Sequence, residues 1–442
     1  MPVPIARVLD LVDPATQLLL GLDRAAAERR LLAADPREAL GIRGSFALAA
    51  RDGERVCLAR SLDRPLRYFL AKEADGPLLV VAERIDEIRR CLEAEGHGDQ
   101  FHPSYTRMAP AHHVTTLRLV GCPDPNPTYR RFFAPERGTL PPDLDAIGQL
   151  YVSRLYEELR QWVLALPPRE PLGVLFSGGL DSGAVLLTLH RVLLDLGQSP
   201  ARLKAFTLAV DGGGPDLEQA REFLRRTGLE MLGEAVAAPA EELDALAAVA
   251  VIEDYKPLDV ECAAMNLALM AGIRARYPEW RYLVDGDGGD ENLKDYPIEE
   301  NRELTIRSVV GNSMLYQEGW GVEAIKHSLT YSGGLSRGCV RGWAPARRHG
   351  FVPFSPYTRP AVVEAAEGIP FDALTGGSHG ALYALKGEVL ARGVRAVAGC
   401  ELPVFPKRRF QHGAASVAAF RERFALPAER YRAHFFGLHA RG

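Results

Sequence analysis

The chain has 442 residues, a length that suggests two or three domains. With 47% hydrophobic and 25% charged residues and a formal net charge of -4, the composition is typical of a globular cytoplasmic protein and argues against nucleic-acid or membrane-surface binding. The six cysteines are scattered, without a CxxC pair or a zinc-like histidine cluster, so reduced thiols are expected. The N-terminus does not resemble a signal peptide, and no apolar run approaches the roughly 20 residues that span a bilayer.

The first part of the chain, residues 1–135, is predicted to be rich in short β-strands. Polar turns separate apolar runs such as SFALAA, VCLARSL, LRYFLA and PLLVVAE. Helices are expected over residues 24–34 and 84–94. Proline, glycine and charged residues interrupt the pattern at residues 134–143, APERGTLPPD, which predicts a domain boundary there.

The second part, residues 143–442, is predicted to be an α/β domain. Apolar residues from Ile147 to Leu166 recur at helical spacing, and strand-like and helical segments then alternate. Such alternation predicts a doubly wound parallel sheet with helices on both faces, followed by a helical C-terminal part. The expected strands are LGVLF, RLKAFTLAV, LEMLGEAV and RYLVD, and the expected helices are 183–194, 216–227, 241–252 and 261–276.

The stretch SGGLDS, residues 177–182, joins the first of these strands to a helix. Its glycines allow a close approach of the backbone, and the N–H groups of a helix N-terminus attract an anion such as phosphate. A Walker loop is excluded because no GK[ST] follows and no lysine is near in sequence. Asp181 adds a negative charge, so a divalent cation, most naturally Mg²⁺, is expected between this carboxylate and the phosphate. The alternative is that Asp181 only caps the helix.

A second acidic, glycine-rich turn follows the strand RYLVD. The segment DGDGGDE carries Asp285, Asp287, Asp290 and Glu291. Ligands gather at the carboxyl ends of parallel strands, so two acidic strand exits predict one metal–phosphate pocket, although solvated turn acids remain the alternative. The similar string SGGLSRG, residues 332–338, lacks the aspartate and is expected to be an ordinary loop.

Together, SGGLDS and DGDGGDE resemble the synthetase domain of the asparagine synthetase family, whose second motif reads SGEGADE. The segments FTLAV, EDYKPLDVECAAMNLALM, HGFVPFSPYTRPAVVE and LPVFPKRRF are similar to later blocks of that domain. GSFALAARDGERVCLARSLDRPLRYF and LLVVAERIDEI resemble part of the family's amidotransferase domain. The resemblance implies a PP-loop ATP pyrophosphatase domain at 143–442, preceded by a truncated Ntn-hydrolase-like domain at 1–135.

What the resemblance implies is adenylation of a carboxylate with ATP and Mg²⁺, release of pyrophosphate, and displacement of AMP by an amine. Asp181 and Asp290 would hold the metal, and Lys407 would stabilise the charge that develops at the acyl-adenylate. Asp287 would face the amine, whose proton a carboxylate can accept. Without the resemblance, Lys407 would be taken for a surface lysine and Asp287 for a turn residue. The implied nucleotide-binding residues are Leu175, Ser177, Gly178, Gly179, Asp181, Ser182, Thr207 and Gly286.

The sequence departs from the family pattern in two places. Pro2 stands where glutamine-dependent members have a nucleophilic cysteine, and the first cysteine, Cys57, lies inside a strand-like run. The residues from Met1 to Gly44 leave little room for the family's glutamine-binding strands, and no NGE-like stretch occurs among them. We therefore expect that this part has lost glutaminase activity and serves as a scaffold. Asp287 replaces the glutamate of asparagine synthetases and the tyrosine of β-lactam-forming relatives, which suggests a nucleophile larger than ammonia or differently placed.

The leading interpretation is an ATP-dependent amide ligase of specialised metabolism that joins a small carboxylic acid to an amine or ammonia not made by its own glutaminase part. The alternatives are an intramolecular former of lactams or macrolactams, a PP-loop enzyme that modifies tRNA, and a non-catalytic homologue. The near-neutral charge and the absence of paired cysteines disfavour the tRNA enzyme, and the joint presence of Asp181, Asp290 and Lys407 disfavours the non-catalytic homologue. No nucleic-acid or membrane partner is expected, and formation of a homodimer is left open.

Overall fold

The computed structural model describes residues 3–120, 127–295, 298, 305–311, 339–405 and 413–440. Antiparallel pairing predominates before residue 134, whereas the strands after residue 143 form one parallel sheet. The structure is therefore α/β with a parallel sheet, as the alternating pattern predicts.

Two four-stranded sheets pack face to face in the N-terminal region. The first has the strand order β12-β10-β6-β5, and the second has the order β2-β8-β7-β9. Inward residues of the first sheet, such as Val56 and Leu58, share a core with Tyr68, Leu79 and Val81 of the second. The strands are β1 (Val3–Pro4), β2 (Arg7–Asp10), β3 (Leu18–Leu19), β4 (Gly44–Ser45), β5 (Ala47–Asp52), β6 (Arg55–Arg60), β7 (Arg67–Ala71), β8 (Leu78–Ala82), β9 (Arg107–Met108), β10 (His113–Leu117), β11 (Leu119–Val120) and β12 (Thr128–Arg131).

One helix covers the outer face of each of these sheets. Helix α1 (Arg24–Leu31) packs through Ala27 and Leu31 on the first sheet, and helix α2 (Ile85–Ala94) packs through Ile88 and Leu92 on the second. The N-terminal region is thus a helix–sheet–sheet–helix sandwich. Its likeness to Ntn hydrolases stays a prediction.

The parallel sheet in the second part of the chain has the order β15-β14-β13-β16-β17. Its strands are β13 (Leu172–Leu175), β14 (Leu203–Val210), β15 (Gly233–Ala238), β16 (Tyr282–Val284) and β17 (Val352–Phe354). Alternate residues of β14 enter different cores: Ala205 joins one cluster, whereas Phe206 and Leu208 join another. Because successive side chains of a strand point to opposite faces, helices cover this sheet on both sides.

The helices of this part are α3 (Leu144–Ala165), α4 (Leu180–Asp195), α5 (Pro215–Thr227), α6 (Ala245–Ile252), α7 (Pro257–Arg276), α8 (Gly289–Asn292), α9 (Ile306–Gly311), α10 (Ala344–Arg348), α11 (Pro360–Glu367), α12 (Phe371–Thr375), α13 (His379–Ala398), α14 (Val417–Arg423) and α15 (Ala428–Leu438). Within the described ranges, none is both long and apolar enough to cross a membrane.

Strand β13 stands at the point where the order of the sheet reverses. The chain leaves β13 for β14 on one side, and it later returns on the other side as β16. In sheets of this kind the crevice outside the carboxyl ends of the strands at the reversal point binds ligands. The loop after β13 and the loop after β16 lie at this edge.

Several boundaries differ from the sequence-based expectations because local capping was missed. Helix α4 begins at Leu180, with Gly179 as its N-cap, instead of at Gly183. Helix α7 begins at Pro257, since proline is well suited to a first helical position. Part of LEMLGEAV forms a 3₁₀ turn, Glu230–Leu232, before β15.

The N-terminal sandwich and the second part share hydrophobic contacts. Ile88 and Leu92 of α2 belong to the same cluster as Val249 of α6 and Phe435 of α15. The carboxylate of Glu253 accepts hydrogen bonds from the backbone N–H groups at the start of α2, at 2.8 to 3.0 Å. A carboxylate from the second part of the chain thus stabilises the positive end of a helix in the first. The division at residues 134–143 into two domains stays a prediction.

Candidate functional site

The loop after β13 is a tight turn that leads directly into α4. Gly178 has φ of +75°, and a Cβ there would lie 2.7 Å from the backbone nitrogen of Ala220, so only glycine fits without strain. The N-cap Gly179 has no side chain, and Asp181 lies in the first turn of the helix. The structure therefore does not use Asp181 as the cap residue.

Hydroxyl groups brace this turn from within. Ser182 Oγ accepts a 3.3 Å hydrogen bond from the backbone N–H of Ser177, and Ser177 Oγ accepts one of 3.3 Å from Gly179. The two hydroxyl oxygens are themselves 3.3 Å apart. The helix is 16 residues long, so its N-terminus presents an electropositive end to a ligand at the sheet edge.

The glycines of DGDGGDE allow the second loop to approach the first closely. A Cβ on Gly286 would lie 3.0 Å from the backbone nitrogen of Ser182, and one on Gly289 would lie 2.1 Å from Oδ1 of Asp181. Gly288 has φ of +99° and packs against Tyr357. The hydroxyl of Tyr357 donates a 3.2 Å hydrogen bond to the backbone oxygen of Asp181. The two acidic loops therefore form one site.

A buried lysine joins the two loops. Nζ of Lys386, from α13, lies 2.5 Å from Oδ2 of Asp181, contacts Oδ1 of Asp290, and lies 3.5 Å from Oδ2 of Asp295. Burial alone would lower the pKa of Lys386, but the three carboxylates raise it well above its ordinary value. The lysine side chain is 3% exposed, whereas those of Asp181 and Asp290 retain 20% and 39%. A charged lysine thus lies beneath two carboxylates that a ligand can reach.

Lys386 was not predicted from the sequence, because 205 positions separate it from Asp181 and no lysine lies near the loop in sequence. One signal was available. Lys386 shares a face of α13 with Leu382, Val389 and Leu390, all of which are buried. A lysine in the middle of an apolar helical stripe is almost never fully buried unless it has a partner.

The geometry of Asp181 and Asp290 fits a divalent cation, because one oxygen of each carboxylate contacts the same Nζ. Mg²⁺ is commonly bound by one or two carboxylates together with phosphate oxygens and water. Among the described residues, no group of three or more histidine, cysteine, aspartate or glutamate side chains is arranged as a metal site. The pair would therefore hold Mg²⁺ with the help of a nucleotide, after the ammonium group of Lys386 has moved aside or shifted to the phosphates.

Asp287 lies close to the buried carboxyl group of Asp285 and to the guanidinium group of Arg341. Burial raises the pKa of Asp287 to about 6, although Arg341 opposes this shift. Oδ2 of Asp287 is buried and has no hydrogen-bond partner within the described part of the chain. Nε of Arg341 in turn donates to Asp259 at 2.8 Å.

Asp285, two residues earlier, accepts hydrogen bonds of 3.0 Å from Ser355 Oγ and from the backbone N–H of Asp287. Burial and the charge of Asp287 raise its pKa well above the usual range for a carboxyl group. Asp285 therefore positions the loop through these two hydrogen bonds, and burial raises the pKa of both carboxyl groups.

Two of the predicted nucleotide-binding residues lie in the sheet at the edge of the site. Thr207 is buried in β14, where its hydroxyl donates a 2.7 Å hydrogen bond to the backbone oxygen of Phe176. Leu175 ends β13 and is half-buried. Lys407, the predicted catalytic lysine, lies outside the described residues, as does the string at 332–338.

The N-terminal sandwich holds Cys57 in its core. This cysteine is fully buried in β6, and its sulfur lies 3.6 Å from Oγ1 of Thr116. A buried thiol in an apolar strand is not placed to attack glutamine. Pro2, which replaces the expected nucleophile, lies outside the described residues.

Comparison with known families agrees with this geometry. A model of the asparagine synthase family matches residues 155–333, a span that includes SGGLDS and DGDGGDE. No curated protein matches the chain at a significant level.

Proposed function

We propose that the chain is an ATP-dependent amide ligase of the asparagine synthetase family, whose model matches residues 155–333. It adenylates a small carboxylic acid with release of pyrophosphate, and an amine then displaces AMP from the acyl-adenylate to form the amide, with loss of a proton. The observation that carries this proposal is the convergence of Asp181 and Asp290 on one point at the N-terminus of α4.

In this proposal the turn and helix N-terminus bind the departing pyrophosphate. The backbone N–H groups after Ser177 approach the phosphate oxygens closely because Gly178 and Gly179 have no side chains. Asp181 and Asp290 would hold Mg²⁺, which supplies charge neutralisation for the phosphates, and the ammonium group of Lys386, displaced from the two carboxylates, would add a positive charge beside them. Gly286 lets the second acidic loop pack closely against the first turn of α4, which brings the two loops to one site.

Asp287 would accept the proton of the attacking amine. Amines are nucleophilic only when unprotonated, and a base works best when its pKa lies near the working pH. The raised pKa of Asp287, about 6, meets that condition. Its side chain is one methylene shorter than glutamate, which leaves room for an amine larger than ammonia. The buried position of Cys57 supports an amine source other than this chain's own glutaminase activity.

The test is a pyrophosphate-release assay with ATP, Mg²⁺ and a panel of carboxylic acids, with and without amines. The parent should release pyrophosphate only when a suitable acid is present, and γ-phosphate release instead would contradict the proposal.

Asp181→Asn removes one carboxylate charge from the site and should lower pyrophosphate release at least about 100-fold, given the sensitivity of catalysis to electrostatic groups at the site. Asp195→Asn is a matched control, because Asp195 ends the same helix and pairs with Arg191 at the surface. The control should keep parental activity, and near-parental turnover by Asp181→Asn would refute the role of Asp181.

A further inference from the structure

The segment 355–359, called here the bridging segment, touches both acidic loops of the site. Ser355 Oγ donates to Asp285 at 3.0 Å, and the hydroxyl of Tyr357 donates to the backbone oxygen of Asp181 at 3.2 Å. The backbone oxygen of Tyr357 also accepts a 3.0 Å hydrogen bond from Asn292, which follows the second loop. The positions of both loops are therefore fixed against one short turn.

The N-terminal sandwich holds the other end of this segment. Nη2 of Arg359 forms an ion pair of 2.5 Å with Oδ1 of Asp63, and Nη1 donates to the backbone oxygen of Gly44. Both side chains of the ion pair are almost fully buried, at 1% and 3% exposure. Asp63 and Gly44 belong to the region before residue 134, whereas Arg359 belongs to the region after it.

Thr358 links the arginine to the rest of the bridging segment. Nη2 of Arg359 donates to Oγ1 of Thr358 at 2.6 Å, and that hydroxyl donates to the backbone oxygen of Ser355 at 2.7 Å. A continuous path of hydrogen bonds and ion pairs therefore runs from Asp63 through Thr358 to the residue that holds Asp285.

We propose that Asp63 is a positioning residue for the candidate site: by holding Arg359 it fixes the bridging segment, and so the distance between the two acidic loops. This inference rests on the proposed function for its kinetic readout. It also assigns a role to the N-terminal sandwich, which supplies an anchor for the synthetase site. Displacing catalytic groups by about 1 Å can cost about 100-fold in rate even when the substitution lies far from the chemistry.

Asp63→Asn tests the proposal, because asparagine keeps the shape of the side chain and removes its charge. Glu253→Gln is the matched control. The Glu253 side chain is also 3% exposed, and it also pairs with arginines, Arg67 at 3.4 Å and Arg84 at 3.6 Å, across the same two regions. It caps α2 and makes no contact with either acidic loop among its described hydrogen bonds and ion pairs.

Both variants should unfold at a lower temperature than the parent, and only Asp63→Asn should change the site. We expect its kcat for pyrophosphate release to fall at least about 10-fold, and hydrogen exchange in peptides covering residues 177–183 and 285–292 to become faster. Glu253→Gln should keep the parental kcat and the parental exchange in these peptides. Equal kinetics and equal exchange in the two variants would overturn the proposal.

A second variant keeps the test decisive if Asp63→Asn does not fold. Thr358→Val removes the hydrogen bonds that link Arg359 to Ser355 and leaves the ion pair between Arg359 and Asp63 in place. It should therefore reproduce the faster hydrogen exchange at residues 285–292. Unchanged exchange there would overturn the proposal. If the parent releases no pyrophosphate with any acid, the proposed function fails, but the exchange measurements still decide whether Asp63 positions the two loops.

Discussion

Lys386→Met tests directly whether Asp181 and Asp290 can share a metal ion. In the parent the ammonium group lies 2.5 Å from Asp181, also contacts Asp290, and lies 3.5 Å from Asp295. Methionine fills a similar volume without a charge, so the three carboxylates would lose the cation that they share. Breaking a buried ion pair by removing one partner costs about 3–5 kcal/mol. Because Asp181 and Asp290 keep some contact with solvent, we expect about 3 kcal/mol of unfolding free energy to be lost in metal-free buffer.

Mg²⁺ should restore part of this loss. A ligand that binds only the folded state at one hundred times its Kd adds about 2.7 kcal/mol, and 1 kcal/mol shifts the unfolding temperature of a domain of about 200 residues by about 2–4 °C. Calorimetric unfolding with and without Mg²⁺, at constant ionic strength, should therefore show a rise of several degrees for Lys386→Met. The parent should respond less, since Mg²⁺ must first displace the ammonium group.

Lys294→Met is the matched control for this measurement. Lys294 is a second buried lysine, with a side chain 2% exposed against 3% for Lys386, and it pairs with Glu367 at 2.9 Å. Glu367 keeps Arg137 at 3.2 Å after the substitution. This variant should also lose stability, but Mg²⁺ should not restore it. The same response to Mg²⁺ in both variants, or none in Lys386→Met, would refute the assignment of Asp181 and Asp290 as metal ligands.

Two further predictions concern the nucleophile side and the nucleotide loop. Asp287→Asn should spare pyrophosphate release and slow amide formation. In the parent, amide formation should slow as the pH falls through about 6. Burial raises the pKa of Asp287 to about 6, so its carboxyl group becomes protonated below that pH and no longer accepts a proton from the amine. The rate of amide formation, followed by mass spectrometry at pH values on both sides of 6, measures this dependence. Equal loss of pyrophosphate release and amide formation in Asp287→Asn would show that Asp287 is not the base for the amine. Gly178→Ala should weaken ATP binding in calorimetric titrations and cost at least about 1–2 kcal/mol of stability, since φ is +75° and the new Cβ would lie 2.7 Å from the nitrogen of Ala220. Gly437→Ala, in a helix with nothing within 4 Å of its added Cβ, should leave binding unchanged, and equal affinities in the two variants would contradict the role of Gly178.

The parts of this fold that follow from sequence are those with local causes. Alternation of apolar strands and amphipathic helices predicts a parallel sheet, and the structure confirms it. The family resemblance, based on SGGLDS and DGDGGDE, is confirmed by the match over residues 155–333. Helices α4 and α7 begin at Leu180 and Pro257, earlier than the hydrophobic periodicity predicts. These starts depend on capping, where glycine and proline act through backbone geometry and not through periodicity.

The long-range contacts between charged side chains could not be predicted from the sequence. Asp181 and Asp290 each follow a strand, so their proximity comes from strand order, which the alternating pattern constrains. Lys386 and the Asp63–Arg359 pair lie on segments whose local patterns indicate only helix or turn. Their ion pairs form by burial beside a partner that is distant in the chain, and burial depends on the completed tertiary structure.

These buried charges share a physical logic that links scaffold and site. An isolated buried charge is costly, so each of them specifies a partner and thereby a distance between two elements. Lys386 holds the two loops together by pairing with Asp181 and Asp290. Arg359, held by Asp63, fixes the bridging segment 355–359, which contacts both loops. The N-terminal sandwich thus supplies Arg359 with its carboxylate at the edge of the site. In the proposal, holding this edge in position is what the first part of the chain contributes to the reaction.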